Sequence, residues 1–226
     1  VLLDEIAIRD RETGEQLDTI PLVDALLDAG HRDVIRGRKG DVLHTNSVRR
    51  ITAAQAAAVD HPAFVEEHLL VSMRTPSAIG IVDPEAKVFT WVHQGAYRKQ
   101  HEAIVTEQGE LVLFDNLGPP RGQSLVRVFD AASMAQRWTW AGPSKDDPLW
   151  SPTLSVAHPL PNGNVMVVEG EGGRAFEVTR PDGDVVWQFH NPHRAGPGDR
   201  YVAALFDMVR YRRDDPRIVA VLGPAD

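Results

Sequence analysis

Residues 160–189 read "LPNGNVMVVEGEGGRAFEVTRPDGDVVWQF", and this stretch decides the fold. Three short segments, "NVMVVEG", "RAFEVTR" and "DVVWQF", are rich in β-branched and aromatic residues and predict strands. The punctuation between them, "PNGN" (161–164), "EGGR" (171–174) and "RPDGD" (180–184), supplies the Asn-Gly, Gly-Gly and Asp-Gly pairs that tight hairpins need for positive φ. Strand, tight turn, strand, tight turn, strand is an antiparallel meander.

The same grammar extends outward. "HLLVSMR", "AIGIVD", "KVFTWVH", "GELVLFD", "SLVRVFD" and "AQRWTW" are further strand-like segments, and "EQGE" (107–110) is a further turn. The chain is therefore expected to be all-β. Aligning the groups on a tryptophan places Trp91, Trp140 and Trp187 49 and 47 residues apart, while His44, His101 and His158 recur at intervals of 57. A four-stranded unit every 40–50 or so residues is the period of a β-propeller blade. The units fall at about 1–40 (partial), 41–95, 96–150 and 151–200, with a closing strand at 201–213, in a single domain spanning 1–226. Residues 1–22, with "ETGE" as their turn, resemble the last two strands of an earlier blade. The Ala-rich start of "TAAQAAAVDHPAFVEE" (52–67) predicts a short helix inserted between the first two strands of its unit. About three full and two partial blades are visible, which makes the chain the expected C-terminal part of a larger ring. It opens strand-like, with "VLLDEIAIRD", so either upstream blades or a homo-oligomer is expected to complete that ring.

Composition excludes some classes. With 226 residues and a formal charge of −8, and no long basic run interleaved with aromatics, nucleic acid is not an expected partner. No apolar stretch reaches the length of a membrane span, so membrane insertion is not expected either. There are no cysteines, which excludes disulfides and thiolate metal sites.

In a propeller the innermost strands line one central channel, so histidines opening successive units would face a shared space. Asn46 lies two residues after His44 and, in a strand, shares its face. Arg74, ending the next strand, offers a planar fork suited to sulfate, phosphate or carboxylate. A histidine nucleophile beside His, Asn and Arg groups that hold oxyanion oxygens can transfer a charged group through a covalent intermediate, without a metal. His158, followed by Pro159, fits a binding or structural role. The tryptophans are expected to pack between blades and "FDN" (114–116) to end a strand. His61, Glu66, Glu67 and His68 are expected on the solvated face of the inserted helix rather than around a metal. A propeller that binds a ligand or protein without catalysis remains the alternative; a metal-dependent hydrolase or quinone-dependent dehydrogenase lacks the inner acidic cluster that calcium would need.

"HTNSV", "LLVSMR", "QHEAIV", "LVLFDNLG", "SLVRVFD", the 160–189 stretch and "YVAALFDMVRY" follow one another in an order that resembles the bacterial arylsulfotransferase (aryl-sulfate sulfotransferase) superfamily over about residues 1–213. The resemblance implies a six-bladed propeller that moves a sulfuryl group from an aryl sulfate ester to a phenol through a sulfohistidine, with no nucleotide sulfate donor and no cofactor. It implies His101 as nucleophile, with His44, Asn46 and Arg74 holding the sulfuryl oxygens and assisting proton transfer. It also implies export to the periplasm or outside the cell. The family's further histidine from an earlier blade has no counterpart in residues 1–40, where His31 lacks matching surroundings.

Overall fold

The computed structural model describes residues 2–119 and 122–223. A hairpin of β1 (Glu5–Arg9) and β2 (Gln16–Pro21) leads into helix α1 (Leu22–Asp28). Three four-stranded antiparallel blades follow, each a plain meander. The first consists of β3 (Thr45–Arg50), β4 (Leu69–Met73), β5 (Ala78–Asp83) and β6 (Val88–Gln94), with α2 (Ala53–Ala58) inserted after β3. The second runs through β7 (His101–Val105), β8 (Glu110–Gly118), β9 (Gln123–Asp130) and β10 (Gln136–Trp140). The third runs through β11 (Val156–Pro159), β12 (Val165–Glu169), β13 (Arg174–Val178) and β14 (Val185–His190). A two-residue pair, β15 (Arg194–Ala195) with β16 (Tyr201–Val202), and helix α3 (Pro216–Leu222) complete the described chain.

The central strands show why the blades stack. In β8, Leu111 and Leu113 enter the core shared with the first blade, while Val112 and Phe114 enter the core shared with the third. In β12, Val165 and Val167 face the second blade, and Met166 and Val168 face away from it. Successive side chains of a strand point to opposite faces, so a strand apolar at every position is covered on both sides. This face-to-face stacking of meanders, with β3 against β7 and β7 and β8 against β11, is propeller architecture. On the far side of the first blade, Leu22 and Leu26 of α1 pack with Val71 and Met73 of β4.

One turn recurs in each outer hairpin. The backbone N–H groups of Gly14, Lys87, Met134 and Gly183 donate to the carbonyls of Asp10, Asp83, Asp130 and Thr179. All four donor residues have positive φ, between 56° and 83°. The first three turns are also closed by the Asp side chain accepting from backbone N–H groups two or three residues on, the Asx-type closure that favours Asp in turns. The β1–β2 hairpin thus carries the turn of an outer blade hairpin, in line with its reading from sequence.

Two expectations need correction. Counted from that turn, Trp91, Trp138 and Trp187 are equivalent; Trp140 is offset by two residues, because spacing alone cannot see where a turn begins. Trp91 packs against the core between the first two blades and Trp138 against the next one. Trp187 is 43% exposed, as no described blade lies beyond it. Residues 201–213 do not form a closing strand. Past Tyr201–Val202 the chain crosses the face of the third blade, where Leu205 and Met208 cover Met166, Val168 and Ala175. The backbone bond from the Leu205 N–H to the Gly170 carbonyl (2.9 Å) is not extended along a sheet edge, and the rest of the contact is through side chains, so no ladder defines a strand.

Candidate active site

His101 opens β7 at the inner edge of the second blade. Its Nδ1 lies 2.8 Å from Asn116 Oδ1. Asn116 sits near the end of β8, fully buried, and its Nδ2 donates to the carbonyls of Ser151 (2.7 Å) and Leu154 (2.8 Å). Two acceptors can be satisfied only by the amide NH2, so the atom turned to His101 is the carbonyl oxygen, and His101 Nδ1 must carry the proton. Nε2 is left with its lone pair. Burial first, and then the charge of Arg74 and His44, hold the His101 pKa below the ordinary histidine value, against the opposing effects of the Asn116 bond and of the Lys99 carbonyl. In that tautomer the ring turns an unprotonated Nε2 away from Asn116.

Asp115, beside Asn116 but on the opposite face, anchors the approach to β7. It accepts from the Arg98 backbone N–H (2.8 Å) and from Arg127 Nε (2.7 Å). Burial raises its pKa to about 6 despite the Arg98 bond and the Arg127 charge, which leaves it mainly ionised at neutral pH. Gln100, fully buried, donates to Ser72 Oγ and to the carbonyls of Met73 and Ala78, tying the residue before His101 to the first blade.

His44 is held by an aspartate. Asp41 Oδ1 accepts from the His44 backbone N–H at 2.9 Å, and Asp41 Oδ2 lies 2.5 Å from His44 Nδ1. The carboxylate orients the ring, and Nε2 makes no hydrogen bond among the described residues. Asn46 departs from its expected part. Its Nδ2 donates to the Gln100 carbonyl (2.7 Å), joining β3 to the strand that carries His101, and its free atom is the acceptor Oδ1, buried without a partner. The Arg74 guanidinium has no hydrogen bond or ion pair among the described residues, and its charge is felt by His101 and Lys99. His44, Lys99 and Glu102 are all non-glycine residues with φ between 50° and 57°, a local concentration of costly backbone of the kind found at functional sites.

The structure thus brings His44, Asn46, Arg74 and His101 together along the inner edges of the first two blades. His158 is placed otherwise: its Nε2 pairs with Asp207 Oδ1 at 2.7 Å, on the segment that crosses the third blade. The interval of 57 residues does not make the histidines equivalent. β3 and β7 both slip register at their first residues, between Thr45 and Ser47 and between His101 and Ala103, which matches His101 with Thr45 rather than His44. The residues expected on a solvated helix face also lie elsewhere: α2 ends at Ala58, and the His61 ring packs on Phe64 and Trp91. No group of three or more metal-ligating side chains occurs among the described residues, and no described helix is long and apolar enough to cross a membrane.

Asp41, Lys99 and Asn116 escaped the sequence reading. Asp41 had a local signal, an aspartate three residues before His44. Asn116 had none, since its partners lie 15, 35 and 38 residues away.

A half-buried histidine and an arginine without a hydrogen-bonding partner among the described residues thus lie together on stacked four-stranded propeller blades. The arylsulfotransferase (ASST) family model matches residues 8–192, and the chain belongs to that family. No curated protein matches it in sequence. Among solved structures it is similar to the WD40 β-propeller domain of Doa1, at 13% identity and a TM-score of 0.46 over 66% of this chain and 41% of that one. It is also similar to a Bacteroides caccae protein of unknown function, at 14% and 0.42 over 85% and 71%. A third is the Cps50 (Swd1) β-propeller domain of Myceliophteria thermophila, at 14% and 0.44 over 66% and 44%. The chain spans about two fifths of the length of the Doa1 structure.

Proposed function

We propose that this chain carries the nucleophile of an aryl-sulfate sulfotransferase. In the first half-reaction the His101 Nε2 lone pair attacks the sulfur of an aryl sulfate; the N–S bond forms as the S–O(aryl) bond breaks, and the electron pair leaves on the phenolate. His44, oriented by Asp41, supplies the proton that makes the leaving phenolate a phenol. Arg74 faces the sulfuryl oxygens, whose charge it balances through the transition state. In the second half-reaction an acceptor phenol gives its proton to His44, its oxygen attacks sulfur, the N–S bond breaks and His101 returns to its neutral tautomer. Asn46, which gives one of its two amide N–H groups to the Gln100 carbonyl, positions the two inner strands.

The observation that carries this reading is the Asn116 lock on His101 Nδ1, which leaves Nε2 free beside an unpaired arginine. Family membership supports the same chemistry. Further blades, from a longer chain or a second copy, and export to the periplasm or cell surface belong to the same proposal. The test is mass spectrometry of the intact protein after exposure to 4-nitrophenyl sulfate without acceptor. A sulfo adduct on the peptide containing His101, absent in His101→Ala and discharged by added phenol, is the expected result. No adduct from a folded protein would favour a ligand- or protein-binding propeller. That second reading has its own observation, an apolar groove of about 550 Å³ between Met166, Trp187, Met208 and Tyr211.

A further inference from the structure

The cations around His101 outnumber what a sulfate monoester requires. Lys99 lies two residues before the nucleophile, its backbone N–H held by Ser77 Oγ at 3.2 Å, and Arg98 precedes it, pinned through its backbone to Asp115. Neither the Lys99 ammonium nor the Arg98 or Arg74 guanidinium makes a hydrogen bond or ion pair among the described residues. Arg38, which also faces Lys99, donates only to the neutral carbonyls of Val34 and Thr75. The one acid facing Lys99 is Asp41, already bonded to His44. Elsewhere in this protein, of formal charge −8, arginines are routinely paired: Arg127 with Asp115, Arg174 with Glu169 and Asp147, Arg180 with Glu110. Burial, and then repulsion from Arg74, Arg38 and Arg98, pulls the Lys99 pKa below the ordinary lysine value. Like charges gathered with fewer acids than cations, here Asp41 near Lys99 and Asp115 near Arg98, are unfavourable until a further anion joins them.

A sulfuryl group carries one negative charge, which Arg74 can balance. The Lys99 ammonium, which feels the charges of Arg74 and Arg98, and the Arg98 guanidinium are then left without an anionic hydrogen-bonding partner among the described residues. We propose that the aryl substrate of this site carries a second anionic group, a carboxylate or phosphate, and that Lys99 with Arg98 recognises it. The inference rests on the proposed sulfuryl site and names the substrate class for it.

The experiment is calorimetric titration of the full chain, at low and fixed ionic strength, with two unreactive sulfonates: benzenesulfonate, which bears one charge, and 4-sulfobenzoate, which bears two. The dianion is expected to bind roughly tenfold more tightly, as two partly exposed charge contacts would provide. In Lys99→Met that preference should disappear and in Arg98→Gln it should shrink, with benzenesulfonate affinity and melting temperature unchanged; Arg74→Gln should weaken both ligands. Equal affinity of the wild-type chain for the two sulfonates, or a preference that survives in both Lys99→Met and Arg98→Gln, overturns the assignment. The readout is binding heat, so the two readings fail separately. Dianion preference without a sulfo adduct on His101 would sink the transfer mechanism and leave the second-anion site standing; an adduct without the preference would do the reverse.

Discussion

At the scale of single residues, the proposed transfer turns on which nitrogen of His101 holds the proton. Asn116→Ala removes the acceptor that fixes it, and the rate of adduct formation is expected to fall on the order of a hundredfold or more, by comparison with other nucleophile systems in which the wrong tautomer is admitted. The loss should lie in the rate of transfer, with sulfonate binding retained. The pH dependence follows from the same environment. The pKa of His101 is held below 6.5, so the nucleophilic neutral form persists into mildly acidic solution, and adduct formation should be flat near neutrality and decline only below that value. Asn116→Asp places a carboxylate at Nδ1, favours the imidazolium, and should move this decline to higher pH. An unshifted profile in Asn116→Asp would mean that residue 116 does not govern the proton.

At the scale of elements, the outer hairpins are held by a turn whose fourth residue after the leading Asp or Thr has positive φ. Gly14 and Gly183 adopt it freely, whereas Lys87 and Met134 pay the steric cost of a side chain in the left-handed region. Lys87→Gly is expected to stabilise the protein by about 0.5 to 1 kcal/mol, read as a higher denaturation midpoint, because the ion pair it forfeits with Asp18 is exposed and of small value. In the central strands Phe114→Ala should cost about 3–5 kcal/mol, Phe114 being fully buried between the second and third blades. Strands and turns were legible in the sequence because both are local: alternation spans a few residues and Asp-Gly or Asn-Gly marks a hairpin where it stands. The position of each side chain around the channel was not legible. It depends on register slips after Thr45 and His101 that no spacing records. Those slips make His44 and His101 neighbours without making them equivalent, while His158 pairs with Asp207. Asn116 was visible only as the end of a strand, since the carbonyls that fix its amide belong to a segment 35 or more residues away.

At the scale of the molecule, the second and third blades are joined by a seam of polar clasps around an apolar core. Trp138 and Trp140 donate through Nε1 to the carbonyls of Pro181 (3.0 Å) and Gly183 (3.1 Å). Arg180 meets Glu110 with two 2.7 Å bonds. The Arg180 bond, followed by its charge, holds the Glu110 pKa below the ordinary glutamate value, outweighing partial burial. A carboxylate whose pKa is lower folded than unfolded contributes stability above its unfolded pKa and loses it as pH falls through the folded one. Glu110→Gln is therefore expected to cost about 1 kcal/mol at pH 7, and the gap to wild type should close as the solution is acidified below about pH 4.5, measured by urea denaturation across pH. The same seam passes through the active residue, for the amide that sets the His101 proton is held by carbonyls at 151 and 154 on the approach to the third blade. Shuffling of repeats is the ordinary way such arrays diversify, yet here the groups that fix the His101 proton are not contained in any one repeat. An exchange that replaced the third blade while keeping the second intact would preserve every residue of the reacting histidine's own sheet and still release its proton to either nitrogen. Lineages that recombined at this junction would keep the architecture and lose the chemistry, whereas breakpoints in the outer hairpin turns would spare both.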